Sequence, residues 1–462
     1  AGRADGSTDA GGFLGVRFTA EPPFVLVCGC DDEPRLRELC NSRTALAAQN
    51  ETLAHWRDAL SVVEIQTPLP ALDRLFNGWL PCQVLACRLM GRSSVYQSGG
   101  AIGFRDQLQD AVNLLALDSA LAKSQLLEAC RHQYLEGDVM HWWHPLENLS
   151  RGVRTRCSDD LLWLPWALCE YAEKTGDLSL CAVPAPFLRS SPLAPDEHDR
   201  YEPAVPADES APVLEHARRA LDTVLTRGVG AHGLLLFGGG DWNDGMDKAG
   251  AQGRGESVWL SWFFSHTAHR FATLLRRLGS ADDDAQRFDD AAAKIGTAAN
   301  AAWDGGWYLR GWHDDGSALG SAQNTYCQID LISQSFAVLS PEADAAKTNA
   351  ALTAAVSRLY DPDRRLIRLF DPPFENALPS PGYIESYGPG FRENGGQYTH
   401  GAVWLVMALL KQNRPDEALP LLEALLPSNR DQALYAAEPY VLSADICANP
   451  DCAGRAGWSW YT

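Results

Sequence analysis

The sequence predicts a mainly α protein: a toroid of six helical hairpins that follows the end of a β domain and a helical connector. Three observations carry that expectation. From Pro68 onward, apolar residues recur with helical spacing in roughly twelve segments. Long loops rich in Gly, Trp, Pro and His follow alternate segments, which gathers them at one mouth. Before Pro68 the pattern changes to short apolar runs punctuated by glycine and proline, then to a stretch of helical spacing.

In chain order, Phe13 to Thr19 and Phe24 to Val27 read as the last strands of a β domain occupying residues 1–30. Residues 31–67 read as a helical linker, because Glu33 to Leu60 carry helical spacing and few turn signals. Residues 68–462 form the toroid, with segments at 69–91, 104–118, 120–133, 158–175, 210–227, 256–278, 283–302, 326–339, 342–359, 397–412, 415–426 and 432–448. The longest loops are 92–103, 134–157, 228–255, 303–325 and 361–396. Loops of that length are functional or disordered, and their aromatic and glycine content argues for function. Pro184 to Pro212, rich in Pro, Ser and Asp, reads as a surface insertion.

Composition narrows the class. The 462 residues suit two or three average domains or one large barrel, and 46% hydrophobic with 21% charged residues can bury a sizeable core. A net charge of -20 without a basic stripe argues against nucleic acid. Fifteen tryptophans against four methionines fit a carbohydrate cleft and equally a large core. The twelve cysteines are scattered without a Cys-x-x-Cys, so no metal is expected. Cys87, Cys130 and Cys169 read as small buried hydrophobes. Lacking a signal peptide and any apolar run of spanning length, the chain is expected in the reducing cytoplasm. It opens on Ala-Gly-Arg-Ala-Asp-Gly without an initiator Met, so a longer parent protein is expected.

The densest chemistry is Gly238-Gly-Gly-Asp-Trp-Asn-Asp-Gly-Met246, after the apolar run Leu234 to Phe237. Glycines free the backbone for a tight turn that holds Asp241, Trp242 and Asp244 in place. An indole face suits the apolar side of a sugar ring, and a nearby carboxyl suits a glycosidic oxygen; a calcium-like loop or a plain Asx-turn is the alternative. Arg105 and Asp106 fall in the first turn of a helix, an anion site or else a capping cluster. His141-Trp-Trp-His144 looks like a metal pair but lacks further ligands at recognised spacing, so an aromatic sugar platform is favoured. Arg151-Gly-Val-Arg-Thr-Arg156 forms a basic strap ahead of a capped helix start. Arg392-Glu-Asn-Gly-Gly-Gln-Tyr-Thr-His400 is too polar for a core helix and lines a cleft, with Glu393 as a base or sugar ligand and His400 as an anion donor or a satisfied histidine.

Together these motifs resemble glycoside hydrolase family 94. The resemblance rests on Tyr96 to Asp110, Asp138 to Pro145, Ser158 to Pro165, Gly239 to Met246, Gly255 to Trp259, Arg392 to His400 and Gly457 to Thr462, in order along nearly the whole helical region. That family holds inverting phosphorylases of cellobiose, chitobiose, cellobionic acid and β-1,2-oligoglucans, and the C-terminal region of cyclic β-1,2-glucan synthases. The resemblance implies a β-sandwich, here a remnant in residues 1–30, a linker, and an (α/α)6 catalytic barrel truncated at its C-terminal end. It makes Asp244 the general acid. Arg105, Asp106, Trp242, Glu393 and Gln397 fall on sugar-binding positions. His400, Thr462 and Arg105 fall to phosphate, and the glycine expected after Thr462 is absent, so weak phosphate use is expected of this chain. The sequence departs from the family pattern at 146–150 and at Tyr387-Gly388.

The implied reaction converts a β-linked glucoside and phosphate into α-glucose 1-phosphate. An inverting hydrolase needs an acid and a base roughly 6.5–9.5 Å apart. Phosphate is already an anionic nucleophile, so phosphorolysis needs only the acid and a cationic, hydroxyl-rich pocket. Asp244 must start protonated, which asks for a raised pKa, with Asp241 as a source of repulsion. No cofactor is needed beyond phosphate as co-substrate. The partners expected are a β-glucoside oligosaccharide and phosphate, with a homodimer left open and a membrane only for a synthase parent. The competing readings are an inverting hydrolase with Glu393 as base, the glucan-processing region of a cyclic β-1,2-glucan synthase, and a non-catalytic glucan-binding fragment.

Overall fold

The computed structural model describes residues 3–8, 14–19, 25–28, 32–90, 100–146, 150–194, 197–279, 282–438 and 440–457. The chain divides into two compact units at Glu64/Ile65.

In the first unit, strands Arg3–Thr8 and Leu14–Thr19 pair antiparallel, with Arg3 opposite Thr19 and Thr8 opposite Leu14. The expected strand at Phe24 to Val27 is not formed over residues 25–28. Two helices follow, Glu33–Leu39 and Ser42–Leu60, started by Asp32 and Asn41, whose side chains accept the first free backbone N–H groups.

The second unit is an (α/α)6 barrel. Phe104–Asn113, Asp160–Thr175, Val258–Arg277, Leu331–Ala337 and Thr399–Lys411 pack one against the next as an inner ring, with the helical stretch 70–90 against the first. Ser119–Cys130, Val213–Arg227, Asp282–Ala301, Ala345–Leu359 and Pro415–Leu425 return outside them. The inner helices are buried on nearly every side, as Val258–Arg277 illustrates, while Val213–Arg227 is apolar on one stripe only. Asp118, Ser257, Asp330 and Asp344 cap four of these helices with their side chains. Trp163, Trp259, Phe336 and Trp404, one from each of four inner helices, converge with ring centroids 4.6–6.4 Å from Trp404. Much of the tryptophan excess is therefore core.

Eleven of the twelve expected helical segments are present. The twelfth, 432–448, is helical only at Gln432–Tyr435. Beyond it Asp445–Ile446 pairs with Gln397–Tyr398, and Tyr435 Oη donates to the Val441 carbonyl, so tertiary hydrogen bonds take the backbone a helix would have used. The segment 69–91 widens into π-helical turns at Leu75–Trp79 and Gln83–Met90. Pro184 to Pro212 is more than an insertion. Its strand Asp199–Pro203 completes an antiparallel sheet with Ile102–Gly103, Met140–His144 and Arg151–Thr155, and Pro184–Leu188 pairs with Pro206–Pro212. Cys130 and Cys169 are buried as expected, and Cys87 is half-buried.

Candidate active site

The inner helices all begin at the same end. Arg105, Asp160, Val258, Leu331 and His400 each lie at the first or second residue of one of them. Helix N-termini carry partial positive charge, so the end where they meet favours anions.

The loop Gly238 to Met246 lies over this end. Gly240, at φ 114°, makes the turn, and its carbonyl accepts from the Ser158 N–H and hydroxyl at 2.9 and 3.1 Å. Gly245 is required by space: a Cβ there would meet Ile384 Cβ at 2.8 Å. Asn243 Oδ1 accepts from the Gly245 N–H at 3.1 Å. The turn is thus fixed at both ends.

Its two carboxylates diverge. Asp241 is fully buried: Oδ1 accepts from Arg310 Nη2 at 2.6 Å and Oδ2 from Ser257 Oγ at 2.7 Å. Arg310 Nε lies 3.3 Å from Asp330, whose carboxyl burial pushes up to about 6 against the pull of Arg310. Asp244 instead keeps 35% of its side chain exposed. Arg105 Nη2 donates to its Oδ1 at 2.7 Å, and His141 Nε2 lies 3.7 Å from its Oδ2. Burial alone would push the Asp244 carboxyl up. Arg105 and His141 outweigh it and hold the group well below the usual carboxylate range. This corrects the raised pKa expected from the sequence: Asp241 is neutralised by Arg310, and two cations face Asp244 instead.

Those cations are anchored in turn. Arg105 Nη1 donates to both oxygens of Asp159 at 3.0 Å and to the Asp241 carbonyl at 3.1 Å. His141 Nδ1 lies 2.8 Å from Asp160 Oδ2. Burial opposes charge on His141, but Asp160 and Asp244 raise its pKa well above the usual value and make it an imidazolium. Three carboxyls thus share two cations, and buried Asp159 is pushed toward its protonated form despite Arg105. His141, Asp160 and Cys157 offer ligand atoms within 4.8 Å of one another. Burial holds the Cys157 thiol protonated, and Arg105 and the protonated His141 add positive charge, so this grouping suits a proton network better than a metal.

The remaining sequence candidates separate. Asp106 is half-exposed and pairs with Arg88 at 3.5 Å, which also holds Asp110 at 3.0 Å. His400 is half-buried, and its Nδ1 lies 3.3 Å from Trp242 Nε1. An indole N–H only donates, so Nδ1 accepts and the imidazole proton sits on Nε2. Burial pushes the His400 pKa down to about 3, so the ring is a neutral donor rather than a cation. Glu393 sits beside Arg392 at 3.3 Å; burial raises its pKa against that arginine, and Asp244 adds repulsion.

Two expectations are corrected. Trp242 is only 7% exposed, packed against Tyr398, His400 and Trp404 with centroids 5.4–5.6 Å away, so it is no open stacking platform. Gln397 is fully buried and its Oε1 accepts from the Ile367 N–H at 2.9 Å, turning it away from the cleft into the fold. Asn394, equally buried, ties Phe374 to Tyr387. Trp143 stacks on His132 inside the core, leaving only Trp142 half-exposed beside Tyr201. Thr462 and Tyr96 lie outside the described residues. Sequence reasoning missed Arg310, Asp330 and the Asp160–His141 pair. The signal for the last was available, since His141 and the Ser-Asp-Asp helix start belong to neighbouring motifs.

Comparison with known proteins places the chain in a family. The chain is 44% identical to the cyclic beta-(1,2)-glucan synthase NdvB of Rhizobium meliloti over 90% of its length, but spans 15% of that protein. It is 31% identical to the solabiose phosphorylase of Paenibacillus borealis over 87% of its length, spanning 48% of that protein. Against the solved GH63 mannosylglycerate hydrolase of Thermus thermophilus the TM-score is 0.51 at 10% identity, covering 82% of this chain and 96% of that one, a likeness of fold. Among the described residues no helix is long and apolar enough to cross a membrane. The family model described as the glycosyl hydrolase 94 superfamily, catalytic domain, matches residues 55–462, and the chain belongs to that superfamily.

Proposed function

We propose that the chain is an inverting glycoside phosphorylase that cleaves a β-linked glucoside with inorganic phosphate, with Asp244 as the general acid. A phosphate oxygen bonds to the anomeric carbon from the α face. The glycosidic bond breaks on the β face, its electron pair stays on the leaving oxygen, and Asp244 supplies the proton. The products are α-glucose 1-phosphate and a shortened acceptor, and Asp244 regains its proton from solvent.

The observation that carries this reading is the asymmetry between Asp244 and Glu393. Asp244 stands between two cations, Arg105 at 2.7 Å and His141 at 3.7 Å, whereas the candidate base, Glu393, is tied to Arg392 at 3.3 Å. A hydrolase needs a free base to activate water, and phosphate needs none. Phosphate arriving at Arg105 and the His400 Nε2–H would place negative charge near Asp244. That charge raises its pKa and readies the acid only when the nucleophile is present. Asp106 and Glu393 are assigned to sugar hydroxyls, Trp242 to holding His400, and Thr462 to phosphate.

The identity to NdvB favours a β-1,2-linked glucan as the glucoside and a glucan synthase as the parent. The test is release of α-glucose 1-phosphate from β-1,2-gluco-oligosaccharides and from cellobiose, with and without phosphate. Phosphate-dependent release supports the reading, and preference for the β-1,2 series supports the synthase parent. Free glucose without phosphate would replace the reading by hydrolysis; binding without turnover would replace it by a glucan-binding role.

A further inference from the structure

Behind the catalytic turn lies a second cavity of about 210 Å³, lined by Arg156, Ser158, His198 and Arg227 together with Gly238 and Gly239. Residues 156–158 form part of its wall, with Cys157 bridged to Gly238. Cys157 Sγ points to Asp244 Oδ1, 3.7 Å away, and its neighbours Arg156 and Ser158 line the cavity on the other side.

The charge balance of this cavity differs from that of other arginines in the fold. Arg88, Arg105, Arg154 and Arg310 each hold a carboxylate within 3.0 Å. Among the described residues neither Arg156 nor Arg227 has a carboxylate in ion-pair range. Arg156 donates to the Glu197, Ala194 and Leu193 carbonyls at 2.8, 2.6 and 3.4 Å, and Arg227 to the Cys157 carbonyl at 3.3 Å. Two arginines facing one cavity without a carboxylate leave it electropositive in a chain of net charge -20, and an anion would complete it. Glycine at 238 keeps the wall thin: a Cβ there would meet the Arg156 carbonyl at 2.6 Å.

We propose that this cavity is a second oxyanion site, separate from the cleft, that binds a phosphate group through Arg156 and Arg227, with His198 as a further donor. The group is either free phosphate or a phosphate monoester on a sugar. Its occupancy ties the end of helix Val213–Arg227 to the back of the turn that carries Asp244.

The test is arginine labelling by phenylglyoxal, read residue by residue by peptide mass spectrometry, on the whole chain. Inorganic phosphate is expected to protect Arg227 about tenfold, as a charge-assisted contact should, while chloride at equal ionic strength does not. Titration calorimetry with phosphate is expected to lose one binding event in Arg227→Gln and regain it in part in Arg227→Lys. Protection by glucose 6-phosphate below the concentration needed for phosphate assigns the site to a sugar phosphate; the reverse order assigns it to free phosphate. Equal labelling with and without phosphate, equal protection by chloride, or an unchanged titration in Arg227→Gln overturns the proposal. Because these readouts need no turnover, they stand or fall independently of the phosphorylase reading.

Discussion

Asp241 and Asp244 lie three residues apart on one turn and have opposite fates. Asp241 has no solvent exposure and spends both oxygens on Arg310 and Ser257, which hold the turn from below. Asp244 keeps a third of its side chain exposed and faces Arg105 and His141 across the cleft. The same carboxyl group is a foundation in one place and, in the proposed function, a reagent in the other. The difference lies in what surrounds it: a fully paired buried charge has nothing left to offer a substrate, whereas one between two cations changes protonation when either cation is engaged.

The comparison breaks first at Asp244. Asp244→Asn should cut kcat by about 10²–10⁴-fold, the worth of a positioned acid, with the melting temperature nearly unchanged. Activity within a few fold of the parent would remove Asp244 from the role. Arg310→Met should do the reverse. Leaving Asp241 and Asp330 buried without their cation should cost about 3–5 kcal/mol of stability, read from the urea midpoint, with activity per folded molecule largely kept. A midpoint unmoved by that change would mean that the buried network does not hold the turn.

His141→Asn sharpens the comparison. Removing one cation raises the Asp244 pKa, so the acid stays protonated to higher pH and the basic limb of the rate profile should move up. We expect kcat at the optimum to fall about tenfold as orientation is lost. The stability profile carries its own sign. His141 is raised in the folded state, so its contribution is complete below about pH 6.5, the unfolded value, and is lost as pH rises through the folded value. That alkaline loss should vanish in His141→Asn. The smallest effect belongs to Trp242→Phe, which keeps the packing and removes the N–H that fixes His400. The phosphate KM should rise about fivefold, the worth of one neutral hydrogen bond, with the sugar KM unchanged. A rise in sugar KM alone would return Trp242 to the sugar.

The sequence by itself determined the barrel and the position of its chemistry. Apolar residues at helical spacing, side-chain caps such as Asp118 and Ser257, and the glycines around Asp244 act over a few residues, so their consequences are readable along the chain. Only the tertiary structure decided which groups meet. Arg105 lies 139 residues from Asp244, and Arg310 lies 69 from Asp241, distances over which no local pattern operates. The polar run from Arg392 to His400 reads as one cleft lining in the sequence. Folding turns Asn394 and Gln397 inward to satisfy buried backbone N–H groups, and leaves Glu393 and His400 beside the charges of the site. Trp242 reads as a sugar platform because an indole after an aspartate on a loop suits a ligand. Trp404, Tyr398 and His400 claim its faces first, because burying an indole against aromatic neighbours is worth more than leaving it in water.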